Sequence, residues 1–280
     1  MHVRGLDAVN GSPVYDLKPF VPVLNAEAVM AETIEHLKHN LRREFTRAIC
    51  SNDMVRCLVK TAEIHGHFCP GSALGVMAAV YGLRQLGNET IASDGMEKLM
   101  AVVETNACFA DGAQAVSGCT LGNNSLVYRD LGRHAVTFAI RGKETGLRVR
   151  VSPDFRSHMK RAVPEFYSLM ERIVVNREGS AEEEAAFKEK GREAAFALIQ
   201  LPFEKLMITE AVHPDLPDYA PVTQTVICPS CGEASMSTKV VTKGEGHGLC
   251  LMCAGRQYRQ VDGQGIVTRG QQELHSAVGN

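Results

Sequence analysis

Ile64-His65-Gly66-His67-Phe68-Cys69-Pro70-Gly71-Ser72 runs straight into Ser72 to Leu86, a stretch that is small or apolar over nearly its whole circumference. A helix without a polar face has to be buried, so this run sets an interior helix against which the rest of the domain packs. Gly75 and Gly82 permit the close approach of another backbone, that of a partner protomer included, and Gly87 closes the helix. Pro70 suits the first helical turn, which puts Cys69 at the N-cap. There the free amides and the positive end of the helix dipole favour thiolate over thiol. His65 and His67 are two apart, and in extended backbone such residues face one way. Cys69 continues that alternation. A thiolate and two neutral imidazoles suit a borderline-soft cation, zinc, iron, nickel or copper. The plainer alternative is a tight loop with one buried cysteine and two solvated histidines.

Around this stretch the periodicities predict a helix from Asn25 to about Phe45 and a second over 54–65 capped by Asp53, with Val55, Leu58, Val59 and Ala62 inward. Leu99 to Glu104 predicts a buried strand. A helix beginning near Cys108 places Cys108 and Asp111 on one face of its first turn. Two helix N-termini that each carry a thiol would make an electropositive pocket if they met. Cys119 lies on the same face as Cys108 but about 16 Å away along a continuous helix, too far for one ion to hold both. Three β-rich runs, 125–128, 135–140 and 147–151, predict an antiparallel meander, so the fold class is α+β, a mixed sheet covered by helices. Pro164 bends or breaks a helix over 155–174. Ser180 and Glu183 form a capping box that opens a charged helix, read as a spacer, and prolines 214, 217 and 221 mark a linker.

Cys228-Pro229-Ser230-Cys231 and Cys250-Leu251-Met252-Cys253 are two CxxC pairs with eighteen residues between them, the spacing of a four-cysteine zinc ribbon or treble clef. A closed all-cysteine shell is structural, and a module this small depends on its metal for stability. The domain organisation expected is an extended tail over 1–24, a core over 25–175, a helical spacer and linker over 176–221, the zinc module over 222–262 and a flexible tail over 263–280. Nine cysteines in a reducing compartment argue for metal ligands rather than disulfides. The near-neutral net charge of -2 gives no footing for nucleic-acid binding, and no run is long enough to span a membrane. The first thirty residues lack the apolar segment of a signal peptide, so a cytoplasmic location is expected.

HGHFCPGSALGV and, from Val103 to Gly122, VETNACFADGAQAVSGCTLG resemble the two signatures of the FmdE family, that of the formylmethanofuran dehydrogenase E chain. The resemblance runs from about Val29 to about Val174, and a cysteine-paired C-terminal module also occurs in that family. It implies a fold related to the substrate domain of glyceraldehyde-3-phosphate dehydrogenase and a link to molybdenum or tungsten formylmethanofuran dehydrogenase operons. The family often has aspartate where this chain has Asn106. Residues 1–24 resemble the C-terminal tail of a TsaA/TrmO-type tRNA methyltransferase, without its catalytic part. The expected function is a metal-binding protein with two unlike sites. One is a functional core site from His65, His67, Cys69 and Cys108, with Asp111 near, holding zinc, iron or nickel with a position open to a small-molecule ligand. The other is structural zinc on Cys228, Cys231, Cys250 and Cys253. The alternative is a metal or haem carrier or sensor without catalysis. A homodimer is the expected assembly.

Overall fold

In the computed structural model, residues 41–87 and 96–270 are described. The expected tail over 1–24, most of the helix from Asn25 and residues 271–280 lie outside them. A short helix α1 (Arg43–Cys50) leads into α2 (Met54–His65), whose Asp53 cap accepts from the Arg56 amide at 2.9 Å. Next comes α3 (Pro70–Leu86), the predicted interior helix, with Leu74, Val76, Met77, Val80 and Leu83 at most 3 % exposed. Burying each such side chain is worth about 1.5–3 kcal/mol. Leu58 of α2 is buried as predicted, but Val55 and Val59 are exposed.

The sheet has the order β2-β1-β3-β4-β5, from β1 (Leu99–Val103), β2 (Leu126–Tyr128), β3 (Ala135–Ile140), β4 (Gly146–Val151) and β5 (Met207–Val212). The meander expectation fails at β2, which pairs with β1 in parallel. The cause is α4 (Cys108–Ser117), a crossover that carries the chain back to the start of the sheet. Only β3 and β4 form the expected hairpin. The second departure is β5. The stretch 176–221 reads as a spacer and linker, yet it contributes to the body of the domain. Helix α7 (Ala181–Leu198), opened by the predicted Ser180–Glu183 capping box, buries Ala194, Ala195 and Leu198 in the main core, and β5 pairs with β4 along its whole length. Between β4 and β5, besides α7, lie α5 (Phe155–Ala162), α6 (Pro164–Met170), a π-helical turn over Glu171–Val175, and α8 (Phe203–Leu206).

One face of the sheet packs on α3 and α4 through Leu99, Ala101, Val103, Val136, Phe138 and Val149. Helices α3 and α4 meet backbone to backbone. A methyl group at Gly75 would stand 2.1 Å from the Phe109 carbonyl oxygen, and one at Gly112 2.4 Å from that of Ser72. Gly82 makes room for the ring of Phe138. The close approach that these glycines permit is therefore made within the chain, and α3 supplies no argument for a dimer.

The opposite face carries charge. Glu104, 8 % exposed at its side chain, takes a bidentate pair from Arg148 at 2.6 and 2.8 Å. Arg148 also donates to Glu210 at 2.8 Å, its direct partner across β4 and β5, and Arg150 holds the other Glu210 oxygen at 2.8 Å. The proline-marked segment 213–221 lies along this face, tied by Arg129 to Asp215 and by Arg141 to the Pro217 carbonyl at 2.7 Å.

Beyond it, β6 (Thr225–Ile227) pairs with β7 (Ala234–Met236), and β8 (Tyr258–Asp262) with β9 (Gly265–Arg269). The tail expected from residue 263 is thus the second strand of a hairpin up to Arg269. That hairpin joins the main body where the Asn106 side-chain amide donates to the Asp262 carbonyl at 2.6 Å and the Ile266 amide donates to Asp130 at 2.7 Å. No described helix is long and apolar enough to cross a membrane.

Gly75→Ala should destabilise the protein by about 1–3 kcal/mol, because backbone rather than a flexible side chain occupies the space, and a lowered melting temperature checks it. Arg148→Met should cost about 3 kcal/mol by leaving Glu104 buried without its partner. The Arg148 guanidinium, hydrogen-bonded to Glu104, holds the Glu104 carboxyl below its ordinary value. Its contribution is therefore present above the unfolded value of about 4.3 and lost as pH falls through the folded one. Denaturation across that window should show a shallower acid limb in the variant.

Candidate metal centre

Cys69 occupies the N-cap of α3 in extended conformation, with Pro70 next. Its sulfur accepts from the Ser72 amide at 3.4 Å, while the Cys69 amide donates to the Ser72 hydroxyl at 3.4 Å, a capping box with sulfur in the usual oxygen's place. Cys108 opens α4. A methyl group at Gly71 would lie 2.9 Å from the Cys108 Cβ and 3.7 Å from both sulfurs, so the missing side chain is what lets the two helix starts meet. The thiols thus share the positive ends of two helices.

His65 is the last residue of α2. Alternation along extended backbone, the reason the sequence offers for its proximity to His67, is not what the structure shows. Gly66 turns the chain at φ +82° in a left-handed C-cap, and the two rings come to 4.3 Å between centroids. Nε2 of His65 stands 3.5 Å from the Cys69 sulfur, and Nδ1 stands 2.7 Å from an Asp111 oxygen. Asp111 therefore stands behind His65. With a carboxylate on Nδ1, that nitrogen carries the proton and Nε2 presents its lone pair.

One donor atom each from His65, His67, Cys69 and Cys108 lies within 4.8 Å of all the others. Zinc-to-sulfur and zinc-to-nitrogen bonds of about 2.3 and 2.05 Å at a tetrahedral angle put S and N about 3.5 Å apart, matching the observed Cys69–His65 spacing. The donor set therefore fits a tetrahedral ion. Four protein donors also complete such a shell, in place of the expected set with an open position. The donors are not equally anchored. His65 is held by Asp111 and Cys69 by Ser72, while His67 is exposed and has no hydrogen-bond partner among the described residues.

The Cys108 thiol, donating to Cys69, lowers the Cys69 thiol to about 4 against the opposing effect of burial, with Ser72 and His65 adding to it. Cys108 is pushed up by the same thiolate. Burial disfavours the charged His65 ring, but Asp111 and Cys69 outweigh it and raise its pKa. The pocket thus stabilises negative sulfur beside a protonated ring, a pairing that a cation displaces with release of protons.

Cys119 is fully buried, donates to the Leu99 carbonyl at 3.5 Å and is pushed up to about 11 by desolvation. It is a core residue, as is Cys57, pushed up to about 12 by burial. Neither joins the core group. The C-terminal cysteines do converge. Donor atoms of Cys228, Cys231, Cys250 and Cys253 lie within 4.8 Å of one another. The 3.9 Å between the Cys231 and Cys250 sulfurs is close to the roughly 3.8 Å edge of a zinc–thiolate tetrahedron. The Cys250 amide donates to the Cys228 sulfur and the Cys253 amide to the Cys250 sulfur, both at 3.4 Å. Backbone amides of Cys231 and Cys250 lower the Cys228 thiol to about 6. Sequence reasoning misses Ser72 and Gly71, although Cys-x-x-Ser ahead of an apolar run is the pattern of a capping box.

Comparison with known proteins bears on this arrangement. A family described as "FmdE, Molybdenum formylmethanofuran dehydrogenase operon" matches residues 64–208. The chain belongs to the FmdE family. The FmdE match takes in His65, His67, Cys69, Cys108 and Asp111 and stops short of the four C-terminal cysteines. An Archaeoglobus fulgidus protein described as "Probable S-adenosyl-L-methionine-binding protein" is 37 % identical over 270 residues, covering 95 % of this chain and 68 % of that protein. A solved structure, that of an FmdE-like protein of the tungsten formylmethanofuran dehydrogenase from Syntrophus aciditrophicus, is 21 % identical, with a TM-score of 0.47 over 72 % of this chain and 92 % of that one.

Asp111→Ala should leave the fold intact, since the side chain is 42 % exposed, but weaken metal binding at the core site by about 10–100-fold through loss of the His65 orientation. Competition with a chromophoric chelator reads that change.

Proposed function

We propose that this FmdE-family chain is a metal-binding protein with two unlike sites, a functional core centre and a structural C-terminal one. The observation that carries it is the convergence of two imidazoles and two thiols from separate segments within 4.8 Å. Zinc, iron or nickel suits that mixed set. When bound, the ion would supply Lewis acidity to an incoming ligand. The chain's own part is to hold His65, Cys69 and Cys108 in place through Asp111, Ser72 and Gly71, and to keep His67 at the surface, where an outside donor can replace it. The C-terminal cysteines would hold zinc in a closed shell that stabilises residues 222–270.

The family description supports a role beside a molybdenum or tungsten formylmethanofuran dehydrogenase. A carrier or sensor role differs from a catalytic one in how readily His67 yields its place. Haem draws no support from four donors crowded within 4.8 Å, because an axial-ligand site presents one or two donors to a flat ring. S-adenosylmethionine binding is a second reading, supported by the description of the Archaeoglobus relative. Equilibrium dialysis of the full chain against S-adenosylmethionine tests it.

Metal analysis of purified protein tests the first reading. The parent should hold one ion for each of the two donor groups. Cys69→Ala should lose one ion and keep its fold, and Cys228→Ala should lose one ion and become protease-sensitive in its C-terminal part. Unchanged metal content in Cys69→Ala would remove the core centre.

A further inference from the structure

On the charged face of the sheet, at the β3 and β4 ends, lies a cleft of about 340 Å³ lined by Arg133, His134, Arg148, Arg150 and Ser152. That volume falls in the range of small-molecule sites. We propose that this cleft binds a small oxyanion, the carboxylate or phosphate group of a metabolite, separately from the metal centre. The reasoning is a count of charges and donors. Three guanidinium groups meet two carboxylates here, Glu104 and Glu210. Arg148 uses all three nitrogens on them, two on Glu104 and one on Glu210. Arg150 uses only Nε, on the remaining Glu210 oxygen. Every carboxylate oxygen is then taken. Arg133 stands 3.7 Å from Glu104, beyond a hydrogen bond, with its side chain 65 % exposed.

Arg133 and the terminal nitrogens of Arg150 therefore keep charged donors with no acceptor among the described residues, on one cleft with a net positive charge. Ser152 accepts from the Asp154 amide at 3.4 Å and retains its hydroxyl proton to donate. Forked guanidinium donors match the paired oxygens of carboxylate and phosphate. The Glu104–Arg148–Glu210 network fixes the floor beneath them, so little side-chain freedom is lost when an anion binds. The cleft also borders the metal centre's own helix. Phe109, next to Cys108, packs edge-on against His134 at 5.9 Å.

Isothermal titration of the full-length protein with inorganic phosphate, and separately with malonate, tests this at low ionic strength. The parent should bind at least one of the two, and the better probe identifies the anion's geometry. Arg133→Gln and Arg150→Gln should each weaken it by about tenfold, the worth of one charge-assisted hydrogen bond, with melting curves confirming that the variants fold. If one does not fold, the other decides. Cys69→Ala should bind as the parent does. Failure of both probes, or parental affinity in a folded arginine variant, would overturn the site. So would loss of binding in Cys69→Ala, which would place the anion on the metal centre instead.

Discussion

The contact between Gly75 and Gly112 is the constraint on which the rest depends. Two helices whose backbones touch leave no freedom in where their first turns end up. Cys69 caps one helix and Cys108 begins the other. Once the glycines meet, the thiols face each other across Gly71, where a side chain would wedge them apart. The electrostatics follow from the packing. Two helix dipoles point their positive ends at one small volume, and negative sulfur is the group that gains from it. The imidazoles arrive from a third element, the C-terminus of α2, turned by a left-handed glycine.

The sheet has two chemically different faces. One is apolar and supports the helices that carry the donors. The other buries carboxylates under guanidinium groups and lies beside the proline-rich segment. A buried ion pair is a poor source of stability compared with apolar packing, so the Glu104–Arg148–Glu210 row makes more sense as a rigid charged floor than as a fastening. Segment 104–108 joins the two faces. Glu104 belongs to the charged row, Asn106 holds the C-terminal hairpin, and Cys108 belongs to the donor group.

Much of this can be read directly along the chain. The caps at Asp53, Cys69 and Ser180, the end of α4 at Gly118 and the four cysteines of the C-terminal module each depend on residues a few positions apart, so the spacing alone carries the physics. Other features are not written locally. Strand β5 follows a charged helix and precedes three prolines, and its six residues alternate too briefly to stand out from a linker. The parallel pairing of β2 depends on where α4 turns back. Val55 and Val59 fit a helical apolar stripe yet stay exposed, because α2 contacts its neighbours through Leu58 and Cys57 instead.

The sequence by itself determined the donor chemistry: which side chains are soft enough to hold a cation, and that two of them sit at helix starts, since capping is settled within one turn of backbone. Tertiary packing decided that His65 and Cys69 meet Cys108, that Asp111 stands behind His65 rather than beside the ion, and that the surplus arginines gather on one cleft. Those pairings join residues from distant parts of the chain. Their geometry is set by how closely two helices can approach and by which strands lie side by side, neither of which any short stretch of residues encodes.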